Sequence, residues 1–470
     1  MKSDTEPSDP HRPLPRTCLA DVRELRGGGR SGFADAVREA GSRLEAEPRK
    51  RWEWDAIGAT LGALGVDGPD ADLVGLGVGD EALMFHLARR CRSVVGVDRY
   101  AADNAWREAR YRDAEAVAAA APFDYPADRL RVMDADMRAV PRPDASADAV
   151  WSCSSIEHVP DPAELLAVFH EAQRLLRPGG VLVVTTEFSL HDTPYLLPGV
   201  LAWDRRTLAW ADAALPGLER LGPTDLGYDA SCMGHAPTPR RREAALRRGR
   251  VSGDVDAAPQ GVARLAGISV VVPILLAWRK VSDERRAWED SGPAAEVRRY
   301  TEALRHHRAQ RDREAAALLG PMFGTLGQDG ATRQWALHAG RLLLECEARG
   351  GLVSEAGLRS RIAALRELSG DGPVVDADCL DLCGYLLGEL GDPAGADAVD
   401  LACLSSPSTT AEHVMQLATR VVVRHEGRGE AAARARAEVE GLRGHGLTEA
   451  ELRAGFFDRV ARAGVSMPGP

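Results

Sequence analysis

The chain has 470 residues, 44% of them hydrophobic, and a formal net charge of −11. That length allows two or three domains, each with its own core. The acidic balance argues against nucleic acid as a partner, because such affinity comes mostly from neutralising phosphates. No apolar run reaches the roughly 18 residues of a membrane span, and the polar start from Met1 to Arg16 lacks the apolar core of a secretory signal. A cytoplasmic protein with no membrane partner is therefore expected. The eight cysteines, Cys18, Cys91, Cys153, Cys232, Cys346, Cys379, Cys383 and Cys403, form no CxxC pair and no Cys/His cluster at zinc spacing, so reduced, mostly buried thiols and no metal are expected.

Residues 1–30 mix Pro, Gly, Ser and charge without apolar periodicity and read as a mobile tail. From Phe33 to Leu64 the pattern turns helical, with Lys50-Arg51-Trp52-Glu53-Trp54 opening the second helix and its two Trp residues expected to pack. From Leu73 onward, short Val/Leu-rich runs alternate with Ala-rich helical stretches, and strands are predicted at 72–76, 93–98, 130–134, 148–153 and 180–186. That alternation is the pattern of a doubly wound parallel sheet. Asp161-Pro162-Ala163-Glu164 supplies an N-cap, a Pro at the first helical position and an acid able to close a capping box, and Arg177-Pro178-Gly179-Gly180 stops the helix. The run from Ile268 to Trp278, interrupted by Pro273, closes the α/β region, and Ser291-Gly292-Pro293 reads as a linker. The expected division is thus a tail over 1–30, an α/β domain with N-terminal helices over 31–290 and an all-α domain over 291–470. In the last, Ala339-Gly340-Arg341-Leu342-Leu343, Cys383-Gly384-Tyr385-Leu386-Leu387 and Ala418-Thr419-Arg420-Val421-Val422 resemble one another at spacings of 44 and 35 residues. Such spacing suits irregular hairpins of the tetratricopeptide kind, and equally a plain helical bundle.

The segment Leu73-Val74-Gly75-Leu76-Gly77-Val78-Gly79-Asp80-Glu81-Ala82 places a glycine-rich turn between a strand and a helix. Gly77, Gly79 and Ala82 satisfy a dinucleotide fingerprint, and Asp98 closes the next strand where a ribose-binding acid belongs. Glycines let the backbone approach a ligand, and a carboxylate accepts from two ribose hydroxyls. By itself this pattern fits nicotinamide and adenosylmethionine proteins alike.

The downstream motifs separate the two. Asp136-Met137 followed by Val140 to Val150, then Ser152-Cys153-Ser154-Ser155-Ile156-Glu157-His158-Val159, then Leu175-Leu176-Arg177-Pro178-Gly179-Gly180, resemble in order the motifs of class I S-adenosylmethionine-dependent methyltransferases. The likeness is to the bacterial type 11-like group associated with surface-glycan and natural-product gene clusters. The resemblance implies a Rossmann-like methyltransferase sheet and S-adenosyl-L-methionine as cofactor. It implies that Gly77 and Gly79 line the methionine moiety, Asp98 the ribose hydroxyls, Asp136 the adenine amino group and the Met137 backbone the adenine ring, with Gly75, Glu81 and Ser152 also among the cofactor-binding positions. Two departures stand out: Gly75 occupies the place of the family's acid, and Glu81 that of its third glycine. Glu81 is expected to substitute in part for the missing acid. In the proteins this chain resembles, the helix that here bears Trp52 and Trp54 covers the cofactor.

A hydroxyl or protonated amine acceptor needs a general base, for which His158, Glu157 and Glu187, at the ends of two neighbouring strands, are the candidates in that order. The expected acceptor is a small molecule or a glycan, and the helical domain offers a surface for a protein partner. Arg240, Arg241, Arg242, Arg247, Arg248 and Arg250 read as solvated surface, or more sharply as a clamp for an anionic acceptor. Asp98 and Asp136 can each be read instead as simple turn caps. Two other classes stay open: a non-catalytic binding module acting through the helical domain, and an NAD(P)-dependent oxidoreductase.

Overall fold

The computed structural model describes residues 14–20, 33, 36, 48–100, 113–159, 161–189, 195–197, 200–227, 264–266, 269–287, 292–325, 333–369, 377–406, 409, 411–445 and 447–465. In chain order the elements as far as Lys280 are β1 (Thr17–Leu19), α1 (Pro48–Ala63), β2 (Asp72–Leu76), α2 (Ala82–Ala88), β3 (Ser93–Asp98), α3 (Ala114–Ala119), β4 (Leu130–Asp134), β5 (Ala147–Cys153), α4 (Pro162–Leu175), β6 (Leu176–Ser189), β7 (Tyr195–Leu197), β8 (Val200–Ala202), α5 (Arg205–Ala214), β9 (Leu218–Arg220), β10 (Thr224–Asp225), β11 (Arg264–Ala266) and β12 (Ser269–Lys280).

The main sheet runs β4-β3-β2-β5-β6-β12-β1-β10. From β4 to β6 all neighbours are parallel, while β12 runs antiparallel to β6 and to β1. Strands covered on both faces need continuous apolar runs, and the buried interiors of β2, β3 and β5 meet that need. The strand order reverses between β2 and β5. At that switch point the loops leaving the carboxyl ends diverge and open a crevice, so it is where a ligand is expected.

Three details depart from the sequence reading. Thr17–Leu19 is a strand rather than tail, its register fixed by Cys18 opposite Leu275. β6 begins at Leu176, with an irregular register against β5 that accommodates the Pro-Gly-Gly turn, and it runs on to Ser189, so Glu187 lies inside the strand rather than at its end. Asp161 caps α4 by accepting from the Ala163 amide at 2.9 Å, while Glu164 turns to Arg138 at 3.0 Å.

The chain divides into two compact units, with the main division between Arg298 and Arg299, inside α6 (Gly292–Arg308) rather than at Ser291. The first turn of α6 is tied to the α/β unit by Glu296, 3.2 Å from Arg206. Beyond it follow α7 (Asp312–Thr325), α8 (Arg333–Arg349), α9 (Glu355–Ser369), α10 (Ala377–Glu389), α11 (Pro393–Ser405), α12 (Ala411–Arg424) and α13 (Gly429–Gly441). Sequence neighbours pack on one another, α7 on α8, α8 on α9, α10 on α11 and α12 on α13. The three look-alike segments fall on the alternate helices α8, α10 and α12, and Cys379 and Cys383 lie in the apolar core. Among the described residues no helix is long and apolar enough to cross a membrane.

Candidate functional site

Leu76 ends β2, and Gly77 and Gly79 then turn the chain with φ of 67° and 50°, a left-handed region that favours glycine. An added Cβ at Gly77 would stand 2.9 Å from Ser155 Oγ, whereas at Gly79 it would meet only Asp98 Oδ2 at 3.8 Å, so the second glycine faces open space beside that carboxylate. The Gly79 amide donates to Asp98 Oδ2 at 2.6 Å, and the Arg99 amide to Asp98 Oδ1 at 2.6 Å. Burial raises the Asp98 pKa above its ordinary value. The Tyr100 hydroxyl donates to the Gly79 carbonyl at 2.7 Å, and the Tyr100 amide to Asp134 Oδ1 at 3.1 Å, locking the ends of β2, β3 and β4 together. Ser152 Oγ donates to the Leu76 carbonyl at 2.9 Å, a strand-to-strand brace. Met137 comes close to the same turn, its sulfur 3.8 Å from the Cβ position of Gly77. Asp136 bonds Arg138 through both oxygens, at 3.0 Å from Nε and 2.6 Å from a terminal nitrogen, and this pair lowers its pKa.

Gly75 faces the indole of Trp151 rather than a ligand: a Cβ there would lie 2.6 Å from Trp151 Cε2. That buried indole donates from Nε1 to Glu81 Oε1 at 2.7 Å, and Trp54 of α1 donates to Oε2 at 3.3 Å. Glu81 stands at the N-cap of α2, but its side chain makes no capping bond there. It is 8% exposed, and burial pushes its pKa up to about 7.

The carboxyl ends of β5 and β6 carry a second group of ionisable side chains, facing α1, which packs on both strands. Glu157 lies in the short turn Ile156–His158, buried, with Oε2 accepting from the Thr186 hydroxyl at 3.1 Å. Burial, aided by the nearby Glu187 charge, raises its pKa to about 7. Glu187 is buried and ion-paired with Arg49. Lys50 sits 2.9 Å from Glu53, and the Cys153 thiol donates to Glu53 at 3.3 Å. Burial works against the Glu53 charge, yet Lys50 and Arg49 outweigh it and hold the pKa near about 2. His158 closes the turn, partly exposed, its amide donating to the Ser155 carbonyl at 3.1 Å.

The fold therefore brings Gly77, Gly79, Asp98, Met137 and Ser152 around one turn, and Glu157, His158 and Glu187 around the next strand ends. Sequence reasoning missed Arg49, Lys50, Glu53, Tyr100 and Trp151. On α1 Glu53 follows Arg49 at i+4 and Lys50 at i+3, spacings that signal mutual pairing. The arginines from Arg240 to Arg250, and Cys232, lie outside the described residues.

Residues 74–184 match the protein family described as Methyltransferase domain. Over 57 residues the chain is 49% identical to dimethylglycine N-methyltransferase of Parasynechococcus marenigrum (strain WH8102), covering 12% of this chain and 19% of that protein. Over 67 residues it is 42% identical to 27-O-demethylrifamycin SV methyltransferase of Amycolatopsis mediterranei (strain S699), covering 14% of this chain and 23% of that protein. The chain thus matches these curated relatives over less than a quarter of their length. Among solved structures, geranyl diphosphate C-methyltransferase from Streptomyces coelicolor A3(2) aligns with a TM-score of 0.35 at 22% identity, over 54% of this chain and 91% of that one. A [4+2]-cyclase aligns with a TM-score of 0.32 at 18% identity, over 53% of this chain and 94% of that one.

Proposed function

We propose that this chain, whose residues 74–184 form a methyltransferase domain, transfers a methyl group from S-adenosyl-L-methionine to a small-molecule acceptor by in-line displacement. The observation that carries this reading is the open glycine turn latched to a buried Asp98 at the switch point of the sheet, with a proton-accepting carboxyl at the neighbouring strand end. The residues fit the cofactor. Gly79 leaves the backbone bare for its methionine end, Gly77 lets the turn pass close to Ser155, Asp98 offers a carboxylate to the ribose diol, and Glu81 adds a second buried acid.

When bound, the sulfonium supplies an already activated methyl carbon, so the chain's share of the work is orientation, exclusion of water and proton transfer. Glu157, with a pKa of about 7, is matched to taking a proton at neutral pH, and we place it ahead of His158 and Glu187 as the base. Glu187 is committed to Arg49, which fixes α1 against the strand ends and closes that side to solvent. A bound cofactor would supply the methyl group, and Glu157 would take the proton that the acceptor gives up. A sugar hydroxyl suits this scheme as well as an amine.

The test is calorimetric titration of the full chain with S-adenosylmethionine and its demethylated product, followed by a screen of hydroxyl and amine acceptors with a methyl-labelled donor. Binding together with label transfer is the expected result. Failure to bind either form would overturn the proposal, and binding without transfer to any acceptor would leave a ligand-binding module in its place.

A further inference from the structure

On the reading of the site as one for S-adenosylmethionine, we infer that Glu81 is the counter-charge for the ammonium group of the bound cofactor, aimed by the indole N–H groups of Trp54 and Trp151. Binding is then linked to release of a proton, and α1 is part of the cofactor site.

Sterics come first. A side chain at Gly75 would collide with Trp151, which is fully buried and paired in register with Gly75 across β2 and β5. No acid can project from that strand position, and the indole filling it directs its N–H to Glu81 instead.

The second argument is the state of Glu81 itself. Its oxygens accept from two neutral indole donors, and among the described residues no cation forms an ion pair with it. The nearby cations are engaged elsewhere, Lys50 with Glu53 and Arg49 with Glu187. A buried carboxyl without a cation is costly in its charged form. Two indoles that hold it in one orientation, directly after a ligand-facing glycine turn, suit a cation that arrives with the ligand.

The charged and titratable groups around Glu81 are Lys50 and Glu53 on α1, Cys153 on β5, Asp98 at the end of β3, and Asp80 and Tyr100 on the flanking loops. Cys153 and Tyr100 are pushed up by burial and stay neutral at pH 7, and Glu53 stays charged beside Lys50. Glu81, pushed up to about 7, therefore changes charge near neutrality, and an ammonium bound against it fixes the carboxylate.

The test is titration of the full chain with S-adenosylhomocysteine, which keeps the ammonium but lacks the sulfonium, from pH 5.5 to 7.5 in buffers of different ionisation heat. Wild type is expected to bind roughly tenfold more tightly at the upper pH, with a proton released on binding at the lower pH. Glu81→Gln is expected to lose about tenfold or more in affinity at pH 7.5 and to lose the pH dependence. Trp54→Phe keeps the ring but removes one donor to the carboxylate, and is expected to move the midpoint of the pH dependence upward. It also keeps the inference testable if Glu81→Gln fails to fold. Wild-type affinity in Glu81→Gln, or binding without proton release in wild type together with an unshifted Trp54→Phe, overturns the assignment of Glu81 alone. A loss confined to S-adenosylmethionine, with S-adenosylhomocysteine unaffected, would place Glu81 at the sulfonium and likewise overturn it. Absence of binding by either ligand at every pH would instead remove the methyltransferase reading, and this inference with it.

Discussion

The Gly79 amide nitrogen lies 2.6 Å from Oδ2 of Asp98, so the glycine turn after β2 is latched to the end of β3 before any ligand arrives. Asp98 then has two tasks, shaping the turn and accepting from the ribose. Asp98→Ala is expected to weaken cofactor binding by roughly 1–3 kcal/mol and also to lower the melting temperature without ligand. Asp98→Asn, whose amide oxygen can still accept from Gly79, should recover much of the melting temperature but less of the affinity. Calorimetry and thermal melts read the two effects separately, and unchanged affinity in both variants would leave Asp98 a turn residue.

Gly75→Ala tests the packing of the Trp151 indole. The new methyl would sit 2.6 Å from Trp151 Cε2 in the middle of the sheet. Overpacking of this kind costs about 1–3 kcal/mol, to be read as a lower urea midpoint. A neutral result would mean that the indole moves aside, and would weaken the case for its hold on Glu81.

Glu157→Gln is expected to lower turnover roughly 10²-fold with cofactor affinity within about threefold of wild type, the pattern of a lost base. In wild type, turnover should rise with pH through about 7 as the carboxyl ionises, and the variant should lose that limb. His158→Ala, assayed in parallel, decides between neighbours: a large loss there with Glu157→Gln unaffected would move the base to His158.

The pH dependence of stability should show two opposite slopes. Glu53 has a folded pKa of about 2, below its unfolded value, so its stabilisation is present above about pH 4.5 and is lost as pH falls toward 2. The Glu81 and Glu157 carboxyls are raised to about 7, so they favour the fold while protonated, and their contribution declines as pH rises from about 4.5 through 7. Urea midpoints measured from pH 3 to 8 should therefore fall at both ends, with the acid limb blunted in Glu53→Gln. An acid limb of equal steepness in that variant would show that other carboxylates govern it.

A chain cut after Arg298 is expected to fold and bind the cofactor, because the sheet and the Arg206–Glu296 pair are then complete. One cut after Asp290 loses that pair and should melt a few degrees lower. Non-cooperative melting of the longer fragment would show that the two units share a core.

The central strands were legible because each is a short Val/Leu run bounded by turn residues, and β2, β3 and β4 fall where those runs do. Thr17–Leu19 was not legible, since three residues carry no periodicity and the distant partner strands β10 and β12 make them a strand. At the site, Gly77, Gly79 and Asp98 follow from local chemistry, and so does the oddity of an acid at position 81. The indoles that hold that acid could not be foreseen, because Trp54 and Trp151 lie 27 and 70 residues from it in sequence. Arg49, Lys50 and Glu53 were passed over because a charged helix face normally reads as solvated surface. Here that face is turned against the ends of β5 and β6.

The pairing of Cys18 with Leu275 also sets a timetable for synthesis. β1 leaves the ribosome well before its partners, since β10 and β12 are made about 200 and 250 residues later, roughly 10–50 s at ordinary translation rates. The parallel strands from β2 to β6 can assemble during that wait, but the flank of β6 has no neighbour until β12 emerges. An unpaired strand edge of this kind is prone to pair with the wrong chain. The nascent chain is thus open to mispairing at β6 in the interval before β12 is made.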